Sequence, residues 1–385
     1  MRIKRFWQND QFLLGLFKLF RNEGYQLYFV GGCVRDSILQ KKPSDLDLAT
    51  DATPTEMKEM FNRGKIFFKP IGIEFGTLLV GSNGISITTF RKDIKTFGRK
   101  VEVCFATDLE TDSSRRDFTI NALYADHEGK VHDPRGGLKD LQKKRIRFIG
   151  NPVNRINEDY LRILRFFRFS ALYGDSAKGC DSEGLAAIRK FQAEKLDLLS
   201  GFRIRSEIFR ILSVRPLYWC LREWENTPSW NWHFPEGHAL KHEKLEQMES
   251  AHQFEPNSIS SLAVLNINTK NCKLDLTRVE RLKLDTLLQY SKDTECSLEE
   301  LAYLLGKETT EAIILLRNIL GNEEIPSDFK SRVDFAASQE FPVKAKDLGT
   351  RYEGKELGDK LRELQRVWIA SGFEASKSAL LELVQ

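Results

Sequence analysis

The sequence predicts an α+β chain, with a mixed, largely antiparallel sheet in its first third and an all-helical remainder. Three observations carry that prediction. Strand-like apolar runs fall before about Gly150, and two of them, Phe75 to Val80 and Ile85 to Phe90, flank Asn83-Gly84, a strong hairpin signal. Beyond Gly150 the strand signals fade, and Leu, Phe, Arg and Glu recur at helical spacing to Gln385. Finally, 385 residues that are 41% apolar and 30% charged suit two to four compact units and exclude a disordered chain.

The elements follow in order. A first helix is expected from Gln11 to Asn22, stopped at Gly24. Tyr25 to Val30 reads as a buried strand ending in Gly31-Gly32, followed by a helix from about Val34 to Gln40. Ser44 to Thr50 alternates polar and apolar residues, as a half-exposed strand does. Thr53-Pro54-Thr55-Glu56 forms a capping box with Pro at N1, and the helix it opens ends at Gly64. Later, Gly174 to Gly184 and Thr227 to Gly237 read as loops. No internal repeat or low-complexity tract is present.

The net charge of +4 means little as a total, but Lys139 to Arg168 holds nine Lys/Arg against three Asp/Glu. That local excess fits a phosphate-rich partner. Six cysteines without a C-x-x-C pair argue against a zinc ribbon or disulfide framework and for a reducing compartment, hence a cytoplasmic protein. Phe12 to Phe20 is too short and too interrupted, at Lys18, for a membrane span. His238 and His242 stand at i and i+4 with His233 and His252 nearby, but no acid joins them in a zinc spacing, so they read as polar surface. No P-loop motif occurs.

Chemistry concentrates in Gly31-Gly32-Cys33-Val34-Arg35-Asp36 and Asp45-Leu46-Asp47. Two Asp two apart on a strand share a face, and their mutual repulsion invites a divalent cation. Oxygen-only ligands suit Mg²⁺, which also binds triphosphate oxygens. The diglycine turn before a helix lets backbone N–H groups face phosphate, with Gly32 and Arg35 as candidate nucleotide ligands. Downstream, Asp159 and Arg162 stand at i and i+3, so they are expected to be neighbours on one helical face. As an isolated surface ion pair they contribute only about 0.3–0.5 kcal/mol. Turned toward one base, Asp accepts and Arg donates, which matches the amino group and ring nitrogen of cytosine or adenine and mismatches guanine and uracil. Phe166, Phe167 and Phe169 read as helix core.

Taken together, GGCVRD…DLDLAT, RRDFTINALY (Arg115 to Tyr124), DPRGGLKDL (Asp133 to Leu141) and EDYLRILRFFRFS (Glu158 to Ser170) resemble, in order, the motifs of class II tRNA nucleotidyltransferases and bacterial poly(A) polymerases, within the polymerase-β-like superfamily. The resemblance covers roughly residues 25 to 212. It implies a palm domain over 1–145, a helical neck over 146–215 and a helical body and tail over 216–385 that binds the tRNA acceptor arm. It also implies template-independent addition of CCA to tRNA from CTP and ATP, with Mg²⁺ on the catalytic Asp45 and Asp47. Arg116, Asp159, Arg162, Arg165 and Arg168 are then nucleotide-binding, while Asp117 and Asn121 position the ribose and the loop. Arg91 to Arg99 resembles the flexible loop of full CCA-adding relatives. Many relatives have an acidic residue where this chain has Ser86, so a third catalytic carboxylate is not assigned. Poly(A) synthesis, CC-only or A-only addition, and an inactive RNA-binding relative are the rival expectations; no obligate protein partner or membrane is expected.

Overall fold

The computed structural model describes all residues except 44, 83, 98–99, 236, 268–273, 349–351 and 385, and gives only the backbone at 95–97 and 100–102. The chain divides into two compact units, one spanning Met1–Pro235 and the other built from Glu236–Ile267 and Leu276–Gln385.

The first unit opens with α1 (Gln11–Asn22), capped by the Asp10 carboxylate, which accepts from the Leu13 N–H. Its apolar stripe, Leu13, Leu16, Phe17 and Phe20, is buried. Then come β1 (Leu27–Val30), α2 (Gly32–Ile38), β2 (Asp47–Thr50) and α3 (Pro54–Arg63). The capping box at Thr53 forms as its sequence predicts, with Glu56 bonded back to the Thr53 N–H. Strands β3 (Phe68–Lys69), β4 (Thr77–Val80) and β5 (Ile85–Thr89) follow, with β4 and β5 antiparallel; Asn83 lies outside the described residues. Next are β6 (Arg91–Phe97), β7 (Lys100–Phe105), α4 (Leu109–Ser114), β8 (Tyr124–Ala125), β9 (Val131–His132) and α5 (Gly137–Gln142).

Seven strands form one sheet in the order β3-β4-β5-β2-β1-β8-β9, and within it only β2 and β5 run parallel. Strands β6 and β7 pair separately, so Arg91 to Arg99, matched to a loop in relatives, enters a strand up to Phe97.

Every later element is helical. The first unit continues with α6 (Pro152–Glu158), α7 (Leu161–Tyr173), α8 (Ser182–Arg189), α9 (Gly201–Leu212), α10 (Tyr218–Glu225) and α11 (Pro228–His233). The last corrects the loop expected over Thr227 to Gly237: Pro228 at N1 starts a short helix there, and Trp230 and Phe234 pack on Trp224. Gly174 to Gly184 is a loop only as far as Asp181, which caps α8. Phe166 and Phe167 are core, the latter stacked on Trp224 at 5.0 Å.

The second unit holds α12 (Ala239–His252), α13 (Ser258–Val264), α14 (Arg278–Tyr290), α15 (Leu298–Leu305), α16 (Lys307–Gly321), α17 (Phe329–Ala337), α18 (Gly354–Ala370) and α19 (Lys377–Glu382). Two small cores hold parts of it, one around Ala302, Phe329 and Val333, the other around Leu364, Trp368 and Leu380. His242 is not polar surface but fully buried on α12, facing the Ser261 hydroxyl at 3.1 Å and Glu246 at 3.2 Å; these local partners are what let a histidine sit in a core. His233 in the first unit is likewise buried. Among the described residues no cluster of three or more metal-ligating side chains occurs, and no helix is long and apolar enough to cross a membrane.

Candidate active site

A polar cleft of about 690 Å³ in the first unit gathers every residue singled out as a site candidate: Gly32, Arg35, Asp45, Asp47, Arg116, Asp159, Arg162, Arg165 and Arg168. Its lining includes seven arginines against five aspartates, a balance suited to a polyphosphate beside a cation. Gly31 takes φ +72, a left-handed conformation that glycine adopts without strain, and so turns β1 into α2 at the cleft wall.

Asp47 is the first residue of β2, and Asp45 lies two positions before it, outside the strand. Both line the cleft with solvent access. The protein around Asp47 pushes its carboxyl above the ordinary carboxylate range; Arg116 and the Ser86 hydroxyl pull it back, and Asp45 adds repulsion. Ser86 stands opposite Asp47 in the parallel β2–β5 register and offers its hydroxyl to that carboxylate. Two carboxylates close in sequence, open to a cleft of phosphate-binding side chains, form a donor set that fits Mg²⁺, which commonly takes one or two protein carboxylates plus substrate phosphates.

Arg116 is held from behind. Its Nε and Nη2 donate to Asp112 Oδ2 at 3.2 and 2.9 Å, and Nε also reaches the Tyr124 hydroxyl at 3.0 Å. Arg115 pairs with the other oxygen of Asp112 at 2.7 Å. Burial opposes ionisation of Asp112, but the two guanidiniums outweigh it and hold the carboxyl far below its usual range. Asp112 lies three and four residues before these arginines, so helical spacing was the signal that would have found it.

Asp117 accepts from Arg165 through Nε at 2.8 Å and Nη2 at 2.5 Å, and from Asn121 at 3.0 Å. Burial raises its pKa, yet Arg165 and Asn121 prevail and lower it to about 2. Arg168 is shifted down to about 10 by burial, against Glu207, whose Oε2 is 3.0 Å from its Nε. Glu207, on α9, also approaches Arg165 at 3.7 Å. Nothing in the local sequence announces Glu207, because its contacts are roughly forty residues away in the chain. Phe169 is buried, as expected of helix core, and its ring also backs the cleft wall, with the guanidiniums of Arg168, Arg165 and Arg35 at 4.6, 5.2 and 5.4 Å from its centre.

One expectation is corrected here. Asp159 and Arg162 are not successive positions on one helix. Helix α6 ends at Glu158, Asp159 is extended (φ −149, ψ 106), and α7 begins only at Leu161. The Asp159 carboxylate accepts from the Leu161 N–H at 3.2 Å, the competition with helical geometry that Asp brings to a helix start. Its other oxygen accepts from Arg203 at 2.7 Å, whereas Arg162 donates to Glu158 at 2.6 Å and to the Arg155 carbonyl at 2.7 Å. Both side chains line the cleft, each held by its own partner.

Comparisons with known proteins give a consistent outcome. Residues 27–147 match the family described as Poly A polymerase head domain. The chain is 32% identical over 398 residues to human CCA tRNA nucleotidyltransferase 1, mitochondrial, covering 97% of this chain and 89% of that protein. It is 45% identical over 173 residues to the CCA-adding enzyme of Oceanobacillus iheyensis, covering 44% of this chain and 42% of that one. In fold it is similar to the Bacillus stearothermophilus CCA-adding enzyme in complex with CTP (TM-score 0.76, 22% identity, 99% of this chain and 98% of that chain). A Thermotoga maritima CCA-adding enzyme complexed with tRNA_CCA gives a TM-score of 0.66 at 18% identity, over 97% and 95% of the two chains.

Proposed function

The chain belongs to the CCA tRNA nucleotidyltransferase family, and from that premise we propose that it builds the 3′-terminal CCA of tRNA from CTP and ATP without a nucleic-acid template. The observation that carries this reading is the pair Asp45 and Asp47 facing an arginine-lined cleft that also holds Asp159 and Arg162. The tRNA 3′-oxygen attacks the α-phosphorus in line, its bond to phosphorus forms as the bridging oxygen's bond breaks, and pyrophosphate leaves. No covalent enzyme intermediate is required. Asp45 and Asp47 hold Mg²⁺ in this reading; when bound, Mg²⁺ supplies neutralising charge on the triphosphate and acidifies the attacking hydroxyl.

The chain's own groups do the rest. The N–H of Gly32, at the start of α2, and the Arg116 guanidinium serve the triphosphate in this reading, while the Gly31 N–H is taken by the Leu123 carbonyl at 2.9 Å. Asp159 accepts from the amino group of cytosine or adenine, and Arg162 donates to the neighbouring ring nitrogen. Uracil and guanine present reversed polarity and leave both groups unpaired, which is how a site rejects a ligand of similar shape strongly. For these contacts Asp159 exchanges Arg203, and Arg162 exchanges Glu158, for the base. Recognition of tRNA proceeds through shape and backbone, since an A-form helix displays little sequence in its accessible groove. Five described cysteines, all free, suit a reducing compartment, and we place the enzyme in the cytoplasm.

Primer extension tests the proposal. Transcripts of tRNA ending before CCA, after C and after CC are incubated with purified protein, Mg²⁺, and CTP, ATP or both. Two C and then one A, stopping there, is the expected product. A long A ladder would make the protein a poly(A) polymerase, and arrest at CC or growth only from CC would make it a partial enzyme.

A further inference from the structure

Arg35 does not open its guanidinium to the cleft as a phosphate ligand would. It is buried, donating through Nη1 to Asn121 Oδ1 at 2.5 Å, through Nε to Asp36 Oδ1 at 3.0 Å, and through Nη2 to the Tyr173 hydroxyl at 2.7 Å. The Tyr173 hydroxyl in turn donates to Asp36 Oδ1 at 3.0 Å. The Tyr173 ring lies beneath the Arg35 guanidinium, 4.1 Å from its centre, and takes the Lys41 ammonium at 5.3 Å. Tyr173 is the last residue of α7, while Arg35 and Asp36 belong to α2, the helix that leaves the Gly31-Gly32 turn.

This places a hydroxyl between the two halves of the cleft. Helix α7 carries Arg162, Arg165 and Arg168 and, at 13 residues, is about 20 Å long. Near its start it is tied to the palm by Arg162, whose Nη2 donates to the Arg115 carbonyl at 3.4 Å, and by the Arg165–Asp117 pair. Tyr173 ties its far end. A rod fixed at one point pivots; fixed at two, it holds its tilt. We propose that Tyr173 is a positioning residue for nucleotide selection: its hydroxyl, through Arg35 and Asp36, sets the angle of the arginines on α7 against Asp45 and Asp47. The kinetic part of this inference rests on the CCA-adding reading above.

Tyr173→Phe isolates the hydroxyl, because the ring and its cation contacts remain. With CTP and a tRNA lacking CCA, the variant is expected to lose about tenfold in kcat, since small misplacements of reacting groups cost rate steeply. Its preference for CTP over UTP should fall by about fivefold, with KM for CTP within about threefold of wild type. A purely structural tyrosine would lower the melting temperature and leave that selectivity ratio unmoved. Backbone hydrogen exchange gives a second reading independent of activity: amides of Phe169 to Tyr173 should exchange about tenfold faster in the variant than in wild type. If wild type adds CCA and Tyr173→Phe keeps kcat and selectivity, the positioning role is wrong while the CCA reading stands. If wild type transfers no nucleotide, the CCA reading falls, and unchanged exchange at the end of α7 would overturn the latch as well.

Discussion

Asp47 and Asp117 line the same cleft, and their surroundings drive them in opposite directions. Burial raises Asp47, against the pull of Arg116 and Ser86, while Arg165 and Asn121 outweigh burial at Asp117 and bring it to about 2. A carboxylate with spare proton affinity is one that gains from a metal; a carboxylate already saturated by a guanidinium is a strut. Asp47→Asn should therefore reduce CMP transfer by at least about a thousandfold with little change in the melting curve, while a variant that kept more than a tenth of wild-type transfer would remove Asp47 from catalysis. His233 makes a separate prediction about stability. Burial lowers its pKa to about 3, against an ordinary 6.5. Below pH 6.5 the unfolded chain binds a proton that the folded chain refuses, so stability is complete above 6.5 and declines as pH falls toward 3. Urea unfolding between pH 7 and 4 should show a decline of up to about 1.4 kcal/mol per pH unit that is missing in His233→Phe. Carboxylates lowered in the folded state, Glu56, Glu299, Asp112 and Asp117 among them, add their own acid loss at the low end of this range in both proteins alike, so the difference between the two curves is what reports His233. Parallel curves for the two proteins would show that another group governs this range.

At the scale of elements, what the residues announce locally is what forms locally. The Thr53 capping box, Gly64 at the helix end and the β4–β5 pairing follow from contacts within a few residues. In the third motif, Asp133 accepts from the Gly137 and Leu138 N–H groups, and a Cβ at Gly137 would meet the Thr119 carbonyl oxygen at 2.2 Å, so that glycine is required by close approach of two backbones. The α6–α7 break at Asp159 was not legible, because a helical pattern runs across it, and it shows only in the two bonds of the Asp159 carboxylate, one from the Leu161 N–H and one from Arg203 on α9. The β6–β7 pair is separate from the main sheet, and Asp112 touches its base by accepting from the Arg91 N–H at 3.4 Å. That separation allows it to be excised. Replacing residues 92–104 with a short Gly-Ser turn should leave addition of CC intact and reduce addition of A by about a hundredfold, since Arg91 to Arg99 resembles the loop of full CCA-adding relatives and loss of positioning costs rate steeply. A gel on which the deletion still completes CCA would detach the hairpin from the choice of the last nucleotide.

For the whole molecule, the arginine-rich cleft and the basic stretch from Lys139 to Arg168 imply an electrostatic grip on tRNA. Binding should weaken steeply with salt, with a log–log slope of about −3 or steeper between 50 and 300 mM, at about −0.7 to −0.9 per phosphate neutralised. A flat profile in filter binding would mean that shape and apolar contacts dominate. The sequence by itself determined the fold class, the bounds of the early elements up to β5 to within a few residues, and the set of residues that meets in the cleft. These depend on side-chain period, capping chemistry and motif order, all readable over short spans. Only the tertiary structure decided which charges are partners. Arg162 takes Glu158 and not Asp159, Arg35 takes Tyr173, and Glu207 backs Arg168 from another helix. An ion pair inside a protein is chosen by which groups packing leaves together in a low-dielectric space, and separation along the chain carries no record of that choice.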